Sequence, residues 1–301
     1  MTAGITEAFL LKTDDSGVLR ERIAVMECDE MYIPKMIKQL HVICVIVTNI
    51  TTDQPYRHPD FRQVAKVIAQ SLAACPAVVC CLNGKDEGCR LIAESVANEI
   101  VRFDEEDAGI IVDGNKIRVE LRFLPNDIYQ ADAAAALSCV KVINSKLGTG
   151  ISMQEAVSAV CETKPAYGRG SSIRIGNSSL IMENFKNPES MQRIFLWLER
   201  EGQKPNLIFA SANERELTWM QTYDWQPMKD IAETIYVYGE TEEAGFLCDQ
   251  LQSVRLESLD EMERILLNTA QKAVLLCEYW ALLKIWEYFA QKGYTEHFWN
   301  N

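Results

Sequence analysis

Ile23-Ala24-Val25-Met26-Glu27-Cys28-Asp29-Glu30, followed after Ile33-Pro34-Lys35 by Val42-Ile43-Cys44-Val45-Ile46-Val47-Thr48-Asn49-Ile50-Thr51-Thr52-Asp53-Gln54, decides the fold. Each stretch is a short, near-continuous run of β-forming apolar residues that ends in polar ones. Strands covered on both faces of a parallel sheet are written this way, without alternation. The reading predicts strands over 23–28 and 42–48. A third strand is expected over 77–82, and helices over 62–74 and 87–98 lie between and after the strands. Strands alternating with helical-period segments imply βαβ units and a mostly parallel α/β fold.

Farther along, Asp113-Gly114 separates Ile110-Ile111-Val112 from Ile117–Leu121, which predicts a tight antiparallel hairpin. A long Ala-rich helix follows over 130–146. Ser152 and Glu155 form a capping box for a helix over 153–163. After Lys164-Pro165 the alternation resumes, with strands over 178–185, 205–211, 234–238, 253–257 and 273–278 and helices over 189–201, 241–251, 259–271 and 280–292. Pro188 and Gly202 bound one of these helices. In the last, Leu282, Ile285, Trp286 and Phe289 form an apolar stripe of core-packing type. Two α/β domains are expected, residues 1–163 and 164–301.

Of the 301 residues 48% are hydrophobic and 24% charged, as in a globular protein. Lys and Arg number 30 against 43 Asp and Glu, a net charge of −13, with no basic cluster. This disfavours binding to nucleic acid or to an anionic membrane surface. No apolar run is long enough for a transmembrane segment, and no signal peptide opens the chain. The ten cysteines sit largely in apolar runs and never as CxxC, so reduced thiols are expected and zinc is not. Together these features suggest the cytoplasm.

Chemistry is expected where strands end. In open parallel sheets ligands lie beyond the carboxyl ends of the strands. Glu27 and Asn49 stand at two such ends. Acids there either hold Mg²⁺ or cap the turns that follow.

In these residues the chain resembles the Mur ligase superfamily, most closely the MurT-type ligase-like subunit of lipid II amidation. Leu82-Asn83-Gly84-Lys85-Asp86-Glu87 is similar to that family's strand-end turn. Lys164-Pro165-Ala166-Tyr167-Gly168-Arg169-Gly170 is similar to the opening of its C-terminal domain, and Lys186-Asn187-Pro188 to a second turn. Arg215-Glu216-Leu217-Thr218-Trp219 and Tyr279-x-Ala281-Leu282-Leu283 continue the likeness. The resemblance implies an ATP- and Mg²⁺-dependent ligase that amidates the α-carboxyl of D-glutamate in a lipid-linked peptidoglycan precursor. Its ammonia comes from a glutamine amidotransferase partner. Glu27 would hold the metal. Asn49, Asn83, Arg169 and Lys186 would bind nucleotide or substrate, and Glu216 and Asp224 would lend an acid to the partner's site.

The chain departs from that pattern at several points. No Gly-x-x-Gly-Lys-Thr phosphate loop occurs, and Met1–Ala8 looks like family sequence downstream of it. The family's zinc ribbon is absent. Its Tyr-Asn-x-Tyr-Asn stands here as Tyr129-Gln130-Ala131-Asp132-Ala133, and the acid after the Gly-Arg-Gly turn is Ser171. The triad acid falls either at Asn213, which loses the role, or at Glu216. Two readings follow: a ligase subunit that needs its phosphate loop supplied, or a non-catalytic relative acting as scaffold or regulator. In either case an incomplete sheet leaves an exposed edge, so a self-associating or partner-dependent chain is expected.

Overall fold

A computed structural model describes residues 2–19, 21–51, 60–106, 109–212, 218–269 and 272–298. The chain divides into two compact units, Met1–Asp104 with Ser138–Gly150, and Glu105–Leu137 with Ile151–Asn301. The fold is α/β with two mostly parallel sheets, as expected. Among the described residues no helix is long and apolar enough to cross a membrane.

The first unit contains α1 (Thr2–Leu11), α2 (Ile33–Gln39), β1 (Cys44–Val47), α3 (Phe61–Ala73), β2 (Val79–Asn83), α4 (Glu87–Ser95) and most of β3 (Ile100–Glu106). β1, β2 and β3 pair in parallel. β2 is buried at every residue, and Ile68, Leu72, Cys80, Leu82 and Ile92 fill the core beside it. α3 and α4 start on side-chain caps, Asp60 on the Arg62 amide and Asp86 on the Cys89 amide. An N-cap of this kind stabilises a helix by about 1 kcal/mol.

One expected strand does not form. Residues 23–29 run as irregular backbone, with Val25 83% exposed. A strand needs a neighbouring strand to satisfy its amides, and among the described residues no strand lies in a ladder with this segment. β1 likewise pairs only with β2 among the described residues. Its first three residues are half-buried where those of β2 are all buried.

The sheet order continues through β4 (Gly109–Val112) and β5 (Asn115–Ile117). These form the expected antiparallel hairpin, and Asp113 and Gly114 turn it with φ of +49° and +78°. Then come α5 (Asn126–Leu147), longer than expected, and α6 (Met153–Cys161), which carries the Ser152–Glu155 capping box.

The second sheet has the order β10-β9-β8-β11-β7-β6. Its strands are β6 (Arg169–Ile175), β7 (Ser178–Asn184), β8 (Asn206–Ala210), β9 (Thr234–Tyr238), β10 (Val254–Leu256) and β11 (Ala273–Cys277). β6 is antiparallel to β7, and every other pair is parallel. The helices are α7 (Pro188–Glu201), α8 (Gln226–Ile231), α9 (Glu242–Leu251), α10 (Leu259–Asn268) and α11 (Tyr279–Gln291). α7, α8 and α9 pack on one core, with Trp197, Phe209, Met228 and Leu247. α10 and α11 pack on the other, with Met262, Ile285, Trp286 and Phe289. The sheet is therefore covered on both faces, which explains its unbroken apolar strands.

Candidate functional site

At the carboxyl ends of β1 and β2, the side chain of Asn83 is buried and both its polar atoms are engaged. Nδ2 donates to the Thr48 carbonyl and Oδ1 accepts from the Lys85 amide, each at 2.9 Å. Asp86 accepts from the Ile50 amide at 3.1 Å and the Cys89 amide at 2.7 Å. Gly88 lets α4 approach, since a Cβ there would stand 2.6 Å from Ile50 Cβ. Asn83 thus ties two strand ends together and brings the exposed Asn49 beside the β2 turn. Glu27, the expected metal ligand, is exposed on the irregular segment and not on a strand end. Among the described residues no group of three or more His, Cys, Asp and Glu is arranged to hold a metal ion.

The second unit has a topological switch point. β8 and β11 are neighbours, yet the helices that follow them lie on opposite cores. A crevice opens at such a point and ligands use it. Glu278, buried directly after β11, stands there. Its Oε1 accepts from the Ala212 amide at 2.9 Å and the Ala281 amide at 2.7 Å, and its Oε2 accepts from the Trp280 amide at 2.7 Å. Ser211 after β8 and Thr241 after β9 share a hydroxyl hydrogen bond of 3.1 Å. Residues 213–217, with the expected Asn213 and Glu216, lie outside the described residues.

A second polar cluster surrounds the carboxyl end of β7. Glu183 is buried there, in register with Arg169 on β6 and Leu276 on β11. Tyr129 on α5 donates its hydroxyl hydrogen to Glu183 Oε2 at 2.9 Å, while the buried Oε1 has no hydrogen-bond partner. Burial pushes the Glu183 carboxyl up to about 8, although Tyr129 and Arg169 both favour its charged form. The same burial raises the Tyr129 phenol far above its ordinary range. Asp132, one turn along α5, is exposed at the surface. Atoms crowded around its carboxyl nevertheless raise its pKa, against the pull of Arg193 and Arg169.

Arg169 and Lys186, both exposed, flank this end of β7. Arg169 was expected in a turn and instead opens β6, between Gly168 (φ +67°) and Gly170 (φ +79°) at a register shift. Lys186 begins the turn that Asn187 and Ser190 cap for α7. Its carbonyl accepts from Trp219 Nε1 at 3.0 Å, so two of the family-like motifs meet in space. Asp224 is exposed and accepts from the Gln226 amide at 3.1 Å. It lines a shallow cavity of about 140 Å³ with Gln192, Phe195, Tyr223, Pro227 and Met228.

Glu183 and Glu278 went unread in the sequence. Each left a signal, an acid inside or directly after an apolar strand, where nothing charged is stable without partners.

No family model matches the chain, and no curated protein matches it. Solved structures do match in fold. FolC of E. coli in complex with DHPP and ADP aligns with a TM-score of 0.59 at 14% identity, covering 83% of this chain and 62% of that one. The bifunctional folylpolyglutamate synthase/dihydrofolate synthase of Yersinia pestis, complexed with AMPPNP and Mn ion, gives 0.59 at 14%, covering 80% and 59%. MurF from Acinetobacter baumannii gives 0.56 at 17%, covering 85% and 60%. The chain spans about six tenths of the length of these structures. Over the aligned residues the chain is therefore similar in fold to these ligases.

Proposed function

We propose that this chain is the MurT-like subunit of an ATP-dependent, glutamine-dependent amide ligase acting in the cytoplasm. The substrate is the α-carboxyl of D-glutamate in a lipid-linked peptidoglycan precursor, and the partner is a glutamine amidotransferase. The observation that carries the reading is positional. Asn49 and Asn83 stand at the carboxyl ends of β1 and β2, and Arg169 and Lys186 flank that of β7.

Glu27 and Asn49 carry oxygen donors of the kind a hard cation takes, but among the described residues no group of acids is assembled to hold one. The phosphates of a nucleotide need backbone amides in a Gly-rich turn, and these 301 residues contain no such loop. The proposal therefore requires a loop from outside them. ATP would convert the carboxyl into an acyl phosphate that ammonia attacks. This chain's own contribution is charge and position. Arg169 and Lys186 present fixed cations toward phosphate oxygens. Asn83 holds the β1 and β2 ends in register, and Glu216 or Asp224 would lend an acid to the amidotransferase.

A second reading, a non-catalytic scaffold, is favoured by one observation. The Tyr129 hydroxyl, in the segment that holds nucleotide in the resembled family, is spent on Glu183. The deciding experiment purifies the chain together with a glutamine amidotransferase from the same organism. ADP release that needs both glutamine and lipid II, with an amidated stem peptide as product, supports the ligase. No nucleotide binding and no turnover by the purified pair, in the presence of a complete phosphate loop, leaves the scaffold.

A further inference from the structure

A cavity of about 610 Å³ opens in the second unit, and Phe123, Lys164, Tyr167, Ser172, Trp286 and Glu296 are among the residues that line it. Small-molecule sites range over roughly 300–1,000 Å³. Three segments build the wall, and each is fixed by bonds of its own. In the stretch before α5, the Arg122 amide donates to the Cys161 carbonyl at 3.0 Å, and the Arg122 guanidinium pairs with Glu162 at 3.2 Å. Phe123 follows at once and is 43% exposed. In the turn before β6, the Arg169 amide donates to the Ala166 carbonyl at 3.0 Å and the Gly168 amide to Ser171 Oγ at 2.9 Å. Past α11, Trp286 Nε1 donates to the Glu296 carbonyl at 2.9 Å. Tyr167 joins the last two segments, its ring edge-on to Trp286 at 4.3 Å and tilted against Phe298 at 4.8 Å.

The cavity carries one charge of each sign. Lys164 and Glu296 are both exposed, and among the described residues no hydrogen bond or ion pair engages the Lys164 ammonium or the Glu296 carboxylate. We propose that this cavity binds a free aromatic α-amino acid, its ring against Phe123 and Tyr167, its carboxylate on Lys164 and its ammonium on Glu296.

The wall chemistry selects this class. Phe123, Tyr167 and Trp286 are three aromatic side chains, and an incoming ring finds offset or edge-to-face contacts among them. The two charges cancel, so the wall suits a ligand that is itself neutral overall and charged at both ends. A nucleotide phosphate would set its charge against one lysine and one glutamate, in a chain of net charge −13. A purely apolar ligand would leave both charges to water and gain nothing from them. The fixed segments mean that little ordering is needed on binding, which keeps the contact energy for affinity.

The test is a ligand-observed NMR titration of the full chain, a measurement that reads millimolar affinities. The probes are L-phenylalanine, phenethylamine without the carboxylate, phenylacetate without the ammonium, and L-alanine without the ring. Saturable binding of L-phenylalanine is expected, about tenfold tighter than that of each other probe. Lys164→Gln should abolish the preference for L-phenylalanine over phenethylamine and keep that over phenylacetate. Glu296→Gln should do the reverse, a crossover that a loss of fold cannot produce. No saturable binding of L-phenylalanine up to about 10 mM overturns the proposal. So does equal affinity for all four probes, or a preference that survives both substitutions.

Discussion

Tyr129 and Glu183, 54 residues apart in sequence, share a hydrogen bond of 2.9 Å inside the second unit, and the other oxygen of Glu183 is buried without a partner. The folded state therefore prefers this carboxyl neutral. The unfolded chain releases the same proton near pH 4.5, the ordinary value for glutamate. Stability from this residue is thus full below about pH 4.5 and is lost as pH rises toward 8. At roughly 1.4 kcal/mol per pK unit, the loss across that window reaches a few kcal/mol. Urea midpoints for wild type should fall between pH 5 and pH 8, and those of Glu183→Gln should stay nearly flat. A parallel fall in both proteins contradicts the assignment.

Tyr129→Phe removes the hydrogen-bond donor to the Glu183 carboxyl. The expected cost is about 1–3 kcal/mol at pH 8, where the charged form needs that donor most, and less at pH 5. Equal costs at both values in chemical denaturation disprove the dependence.

Asn83→Ala leaves the Thr48 carbonyl and the Lys85 amide without their partner. It should destabilise the first unit by about 1–3 kcal/mol. Hydrogen exchange at the Lys85 amide should accelerate, with the second unit's amides unchanged. A silent Asn83→Ala would free this side chain for a purely ligand-directed role.

Leu10, Leu11, Val18, Leu19, Ile23, Val25 and Met26 are all exposed, close together in sequence. Exposed large apolar side chains in this number promote association. Light scattering should show concentration-dependent self-association that Leu11→Lys with Val25→Lys reduces, at unchanged thermal midpoint. A monodisperse wild-type monomer at high concentration contradicts it.

Most of the fold was legible in the sequence, because strands buried on both faces and capped amphipathic helices write strong local patterns. Asp113-Gly114, the Ser152–Glu155 box and Pro188 with Gly202 each punctuate the chain as expected. The reading failed at Ile23–Cys28, whose composition is that of a strand but which joins no sheet among the described residues; pairing is non-local and composition cannot supply it. It also missed β6, where Arg169-Gly170 looked like a turn and the register shift hides the strand's alternation. Of the candidate site, strand ends were legible and partners were not. Nothing local in Glu183 announces Tyr129, and nothing in Asn83 announces Thr48.

Glu278 carries a mechanical consequence. One carboxylate grips the amide of Ala212, just past β8, together with the first two amides it can reach on α11. Displacing residue 212 must either break that grip or drag the start of α11 along with it. The two rims of the crevice hang from a single peg, so a tug on one is felt at the other with no relay of residues in between.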